Sequence, residues 1–270
     1  MRPEWRDKWW DAEMVIEVDT DARGVMTLWL NRPDVHNAMS AEMMDAISDT
    51  IAPLTPGGHV RVVVLAGRGE SFCAGGDLGW MRAQFSAPPE ARLSEARRLS
   101  NMLGVLHGCD LPVIGRLHGN AFGGGVGLAC VCDSAFGAEG VLLGLTETRL
   151  GLIPATIGPY VAARLGPRLR SVFMSSRVFG AQEGAGLGLL AEVVASDALE
   201  ARVEKEVRAY LGCAPGAVAD AKRLARMLAP GPDADTIEKA LRALVARWES
   251  EEAVEGVGAF FEKRPPAWKL

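Results

Sequence analysis

The chain has 270 residues, enough for one large domain or two small ones, and 49% of them are apolar against 23% charged. Those proportions belong to a folded globular chain and exclude a disordered one. Twenty-nine basic against 34 acidic residues give a net charge of −5, and no basic run is longer than Arg97-Arg98. This argues against a nucleic-acid surface.

The five cysteines are scattered without paired C-x-x-C spacing, and the four histidines are dispersed, so no zinc site is expected. The cysteines read as small buried thiols in a reducing compartment. Residues 1–10 lack the apolar core of a signal peptide, and the least charged stretch, His118 to Asp133, is shorter than a membrane span. A soluble, cytoplasmic protein without a membrane or nucleic-acid partner is expected.

Met14 to Val18 and Val25 to Leu30 read as two strands joined by a turn at 19–24. Ser40 is placed to cap a helix running to Leu54, with Met43, Met44, Ile47 and Ile51 on one face. The unbroken run Val60 to Ala66 predicts a buried strand ended by Gly67. Leu93 to His107 is an amphipathic helix by its spacing, and Pro112 to Leu117 a further strand. Beyond about residue 155 the pattern is almost wholly helical, with a stop at Pro230-Gly-Pro232. The clearest helix is Asp235 to Trp248, striped by Ile237, Leu241, Leu244, Val245 and Trp248, with Asp235 and Glu238 as a capping box. The predicted class is α/β, with a core over residues 1–200 and a helical region over 201–270.

Two glycine clusters each follow a buried strand: Ser71-Phe-Cys-Ala-Gly-Gly-Asp-Leu78 after Ala66, and Gly123-Gly-Gly125 after Leu117. Residues without side chains let backbone N–H groups approach a ligand, and a following helix adds a positive N-terminal dipole. The spacings of a dinucleotide fingerprint, a P-loop and a nucleophile elbow are absent. Two such loops on one sheet suit an oxyanion hole, in which two N–H donors converge on one oxygen.

These segments, with Leu30-Asn-Arg-Pro33, Asn37-Ala38, His118-Gly-Asn, Cys132-Asp133, Glu147-Thr-Arg-Leu-Gly-Leu-Ile-Pro154 and Phe260-Phe-Glu-Lys-Arg264, resemble the enoyl-CoA hydratase/isomerase (crotonase) family along the whole chain. Within it, Asp77 to Met81, Ala121 to Leu128, Gly151 to Ile157 and the ending at Trp268 look most like bacterial methylglutaconyl-CoA and isohexenylglutaconyl-CoA hydratases.

The resemblance implies a crotonase-like ββα superhelix, a C-terminal helical trimerisation region, a homotrimer or a dimer of trimers, and an acyl-CoA substrate. It implies no cofactor beyond the coenzyme A of that substrate. The Gly76 and Gly124 N–H groups become the oxyanion donors and Glu147 the general acid/base. Arg32, His36, Ala38, Ala74, Asp77, Leu78, Phe260 and Lys263 become substrate- or CoA-binding residues, with Phe260 and Lys263 reaching from a neighbouring subunit. Trp80, Met81 and Tyr160 become candidates for the acyl pocket wall, and Arg82 a possible charge for a carboxylated substrate. Family hydratases carry a second glutamate where this chain has Gly127, and often a basic residue where it has Asp34. A hydratase working through one glutamate is therefore the leading expectation. A double-bond isomerase with Glu147 as sole base is the first alternative, and a non-catalytic CoA- or RNA-binding protein the second.

Overall fold

The computed structural model describes residues 14–229 and 231–269. The sequence readings on residues 1–10 and on Pro230 lie outside this range. The main sheet has six strands in the order β1 (Ile16–Thr20), β2 (Val25–Leu30), β3 (Val62–Gly67), β4 (Val113–Leu117), β6 (Ser134–Ala138) and β9 (Glu192–Val194). Only β1 and β2 are antiparallel, as their hairpin requires; the other pairs run parallel. The hairpin closes on Asp21, whose Oδ1 accepts from the N–H groups of Arg23 at 2.8 Å and Val25 at 3.0 Å. A second sheet joins β5 (Ala121–Phe122), β7 (Leu142–Gly144) and β8 (Val178–Gly180).

Parallel strands covered on both faces read as continuous apolar runs, and β3 is buried at every position. Helix α1 (Ala41–Ile51) is capped by Ser40, which accepts from Met43 N–H. Its buried Met43, Met44, Ile47 and Ile51 are the face read from the sequence. Helix α2 (Leu78–Ser86) leads into α3 (Pro89–Gly108), which starts one turn before the predicted Leu93 because Pro89 suits a first helical position. Helix α4 (Gly124–Val131) is buried along its length. Helix α5 (Gly158–Leu165) and the short α6 (Arg170–Phe173) and α7 (Ala181–Leu187) follow.

The stretch beyond residue 155 is less uniformly helical than its composition suggests. It contains β8 and β9, three residues each, too short to display a period of two. Helix α8 (Leu199–Leu211) turns Val203 and Val207 into the main core; α9 (Pro215–Leu228), α10 (Ala234–Trp248) and α11 (Glu251–Phe261) complete the chain. The start of α10 corrects the capping box. Asp233, not Asp235, caps the helix through Thr236 N–H at 2.8 Å, while Glu238 is drawn to Arg97 of α3 at 2.8 Å. A second small core joins Leu152, Trp248, Ala253 and Val257.

Four cysteines are buried, and burial pushes Cys73, Cys130 and Cys132 up to about 12. Cys213 is exposed, so the buried-thiol reading fails at that one position. Among the described residues no helix is long and apolar enough to cross a membrane.

Candidate active site

The two glycine loops are laced together. The N–H groups of Phe72 (3.0 Å) and Cys73 (3.1 Å) donate to Asn120 O, and Phe122 N–H returns to Cys73 O at 3.0 Å. From the other side, Met39 N–H donates to Gly75 O at 2.8 Å, and Asp77 N–H donates to Met39 O at 3.0 Å. Gly76 is thus the bridging residue opposite Met39, with its own N–H on the side facing away from that strand. Gly124 opens α4, where an N–H has no acceptor within the helix. Neither N–H has a partner among the described residues. Both glycines line one cavity of about 570 Å³.

The close approach demands glycine at Gly125. A Cβ there would lie 2.4 Å from the Cys73 carbonyl oxygen, a backbone atom fixed by the lacing.

Glu147 enters the same cavity from a short 3-10 turn, Glu147–Leu150, that follows β7. Its Oε1 lies 3.1 Å from where a Cβ on Gly123 would stand, and its Oε2 is buried with no hydrogen-bond partner among the described residues. Burial pushes the carboxyl up to about 7, opposed only by its own backbone N–H. Arg149, the alternative ion-pair partner, does not hold it: the Arg149 N–H bonds to Ser176 Oγ at 3.1 Å, and its side chain is exposed at the cavity wall. The turn is clamped by the C-terminal helices. Arg247 Nε donates to Gly151 O at 2.6 Å, and a Cβ on Gly256 of α11 would lie 2.5 Å from Leu150 O. A partner-free carboxyl with a pKa near neutrality, in one cavity with two free N–H donors, can exchange a proton with a substrate whose oxygen those donors hold.

Of the other residues singled out from the sequence, Ala74, Leu78, Trp80, Met81 and Phe260 line this cavity. Trp80 packs over Gly76, whose added Cβ would meet the indole at 3.4 Å; its Nε1 donates to Glu95 at 2.7 Å. Phe260 reaches the cavity of its own chain. Asp77 caps α2 by accepting from Trp80 N–H at 3.0 Å and pairs with Arg32 at 2.9 Å. Burial raises its carboxyl, but these two contacts outweigh that and hold it below the usual range.

Arg32, His36, Ala38, Asp77 and Lys263 do not line the cavity. Arg32 is spent on Asp77 and on Ala38 O (2.6 Å), and the exposed His36 turns its Nδ1 to the buried Ser71 Oγ at 3.1 Å. Lys263 closes the end of α11 with a left-handed φ of 55°. Tyr160 is a correction. It is buried elsewhere, its hydroxyl donating to Ser100 O at 2.9 Å beside His107, because α5 turns that face into the core. Arg82 stacks on Phe261 rather than facing the cavity. Sequence reasoning missed Gln84, Arg92, Thr146, Thr156 and Trp248 as cavity residues. Trp80, Met81 and Gln84 share one face of α2 at i, i+1 and i+4, which is the signal that was available.

Gly127 is closed to any side chain. A Cβ there would lie 2.7 Å from Ile157 Cγ2 and 3.4 Å from Leu103 Cδ1. Ile157 occupies the space that a second carboxylate would need. Gly127→Glu alone should therefore destabilise the fold by about 2 kcal/mol or more through overpacking and a buried charge, with partial recovery when Ile157→Ala is added. Thermal unfolding of the single and double variants checks this; equal melting temperatures for wild type and Gly127→Glu would contradict it.

The six-stranded sheet, the paired glycine loops with two unpartnered N–H groups and the glutamate with a buried carboxyl oxygen make up a site with the parts of an oxyanion hole and an acid/base. The enoyl-CoA hydratase/isomerase family model matches residues 20–270, so the chain belongs to that family. The mouse (Mus musculus) mitochondrial methylglutaconyl-CoA hydratase is 30% identical over 271 residues, covering 96% of this chain and 84% of that protein. Among solved structures, AtuE of Pseudomonas aeruginosa is 33% identical with a TM-score of 0.77, covering 95% of this chain and 100% of that one. An enoyl-CoA hydratase of Mycobacterium smegmatis is 31% identical with a TM-score of 0.76, covering 95% and 99%. The crotonase fold expected from the sequence is the fold observed, and the chain is an enoyl-CoA hydratase-like enzyme.

Proposed function

We propose that the enzyme adds water across the 2,3-double bond of a branched or carboxylated acyl-CoA of methylglutaconyl type. The thioester oxygen sits between the N–H groups of Gly76 and Gly124, which stabilise the enolate charge as it forms. Ionised Glu147 takes a proton from water as the water oxygen bonds to C3. The double-bond electrons move into the thioester enolate, and Glu147 then delivers the proton to C2. One water thus supplies both the hydroxyl and the hydrogen, and one carboxyl serves both transfers. The observation that carries this reading is the partner-free Glu147 carboxyl in the cavity with both glycine N–H groups. Similarity to the mouse hydratase supports the acyl class.

A second reading has a specific basis. With Gly127 sealed by Ile157, this chain has no second carboxylate there, and a 1,3-proton shift needs only one base. Incubation of a 2-enoyl-CoA in heavy-oxygen water separates the two. Label in the product is expected; an unlabelled, double-bond-shifted product would give the enzyme to isomerisation.

Either reaction begins from ionised Glu147, whose carboxyl titrates at about 7 in the folded protein. The rate constant kcat/KM should thus rise as pH increases through about 7 and level off above it. A pH–rate profile flat from 5 to 9 would remove Glu147 from the proton transfers.

Assembly into a homo-oligomer belongs to the same proposal. The exposed apolar side chains of Leu224, Met227 and Leu228 on α9 support it.

A further inference from the structure

Among the described residues, no other residue hydrogen-bonds the Glu147 carboxyl. Arg92 and Arg149, the other charged side chains lining the cavity, do not pair with it, and Arg247 and Glu252 of the helices packed on the turn pair with each other. The aim of the carboxyl therefore depends on the backbone of the 3-10 turn that carries it. A misplacement of about 1 Å at such a group is enough to slow a reaction a hundredfold.

The small sheet builds that turn. Strand β7 lies between β5 and β8, with Gly144 opposite both Phe122 and Val178. Strand β5 leads to the Gly124 donor, β7 leads to Glu147, and the residues entering β8 meet the Glu147 turn. There Ser176 is only 1% exposed and holds a left-handed φ of 49°, a conformation that glycine adopts freely and other residues rarely. Its Oγ accepts from Arg149 N–H at 3.1 Å and is hydrogen-bonded to Thr148 Oγ1, which in turn donates to Met174 O at 3.2 Å. Each hydroxyl has one proton, and both are used: Thr148 gives its own to Met174 O, and Ser176 gives its own to Thr148. A buried serine in a glycine conformation thus spends its hydroxyl on the two residues that follow Glu147. Backbone strain of this kind persists where the surrounding contacts over-determine it, and it gathers at functional sites.

We propose that Ser176, acting through the Thr148 hydroxyl and the Arg149 N–H, is a positioning residue that holds the Glu147 turn in the geometry for proton transfer. Arg247 grips the turn at its other end, through Gly151 O at 2.6 Å. Ser176 grips it beside Glu147 itself, so it governs the carboxyl more directly.

The inference rests on Glu147 as acid/base of the thioester reaction, and its test reads the two separately. Ser176→Gly suits the left-handed backbone and removes only the hydroxymethyl group, so the variant should fold. Its kcat on a 2-enoyl-CoA is expected to fall about tenfold or more, with KM changed less than about twofold. In substrate-free protein, the Glu147 carboxyl is followed by carbon-13 NMR and assigned by its loss in Glu147→Gln. Its midpoint should fall below the wild-type value of about 7, because a loosened turn admits water to the carboxyl. Thr148→Val should reproduce both changes, and Thr148→Ser, which keeps the hydroxyl, should reverse them. A folded Ser176→Gly protein with wild-type kcat and midpoint overturns the proposal, even if its melting temperature is lower. Should Ser176→Gly fail to fold, the same result in Thr148→Val overturns it equally. A lowered midpoint in Ser176→Gly, with no turnover of acyl-CoA by wild type, would support the clamp and count against the thioester reaction.

Discussion

Glu147→Gln is expected to lower kcat by about 10²- to 10⁴-fold, the range that a positioned general acid/base supplies. Binding of the saturated acyl-CoA should change little, since the amide keeps the shape of the carboxyl. The same substitution should also alter the stability profile. Burial raises the folded-state carboxyl from an ordinary 4.5 to about 7, so the folded state holds its proton more tightly than the unfolded one. The sign follows: the folded protein loses stability as pH rises through that window, by roughly 3 kcal/mol in total, and the loss is complete above pH 7. Glu147→Gln removes the titration, so its unfolding free energy should be about flat between pH 4.5 and 7.5 apart from contributions shared with wild type. Retained turnover, or an unchanged pH slope in denaturant unfolding, would show that the carboxyl is not the buried titrating group.

Gly125→Ala should reduce kcat about 10²- to 10³-fold, although it touches neither Glu147 nor a proton. The new methyl would sit 2.4 Å from Cys73 O, a backbone atom that cannot swing aside. Cys73 also accepts from Phe122 N–H, so separating Gly125 from Cys73 strains the lacing that sets Gly76 against Gly124. Loss of one well-aimed oxyanion donor costs about 2.7–4 kcal/mol of transition-state stabilisation. Overpacking in this buried loop should lower folding stability by a further 1–3 kcal/mol or so. Kinetics below the unfolding transition separate these effects. Full activity in a folded Gly125→Ala protein would mean that loop spacing does not govern the reaction. Gly124→Ala is a weaker test, because its methyl would meet the end of the flexible Met39 side chain.

Local pattern and local chemistry were enough to place most of the core. The Val62–Gly67 strand is an unbroken apolar run because both its faces are covered, and α1 shows its buried face at helical spacing. Two glycine loops after buried strands pointed to backbone donors, since such loops serve close approach wherever they fold. The motif around Glu147 marked that residue too. What local pattern could not supply was the burial of its carboxyl, which depends on α10 and α11 closing over the turn from a hundred residues further on.

Tyr160 shows the same division from the other side. Its side chain was a reasonable cavity wall by composition, yet the packing of α5 on α4 sends it to Ser100. Gln84 and Arg92 carry no motif at all. Their relation to the cavity exists only because α2, the start of α3 and Trp248 of α10 converge there.

From the chain alone came the family, the first four strands of the main sheet, and the two glycine loops and Glu147 as the candidate site, because each is written in residues adjacent along the backbone. Tertiary contact alone decided that Ile157 seals Gly127, that Glu147 titrates near neutrality, and that Gln84 and Arg92 line the same cavity. Steric exclusion, desolvation and the meeting of side chains from separate helices depend on distances through space, which no spacing along the sequence encodes.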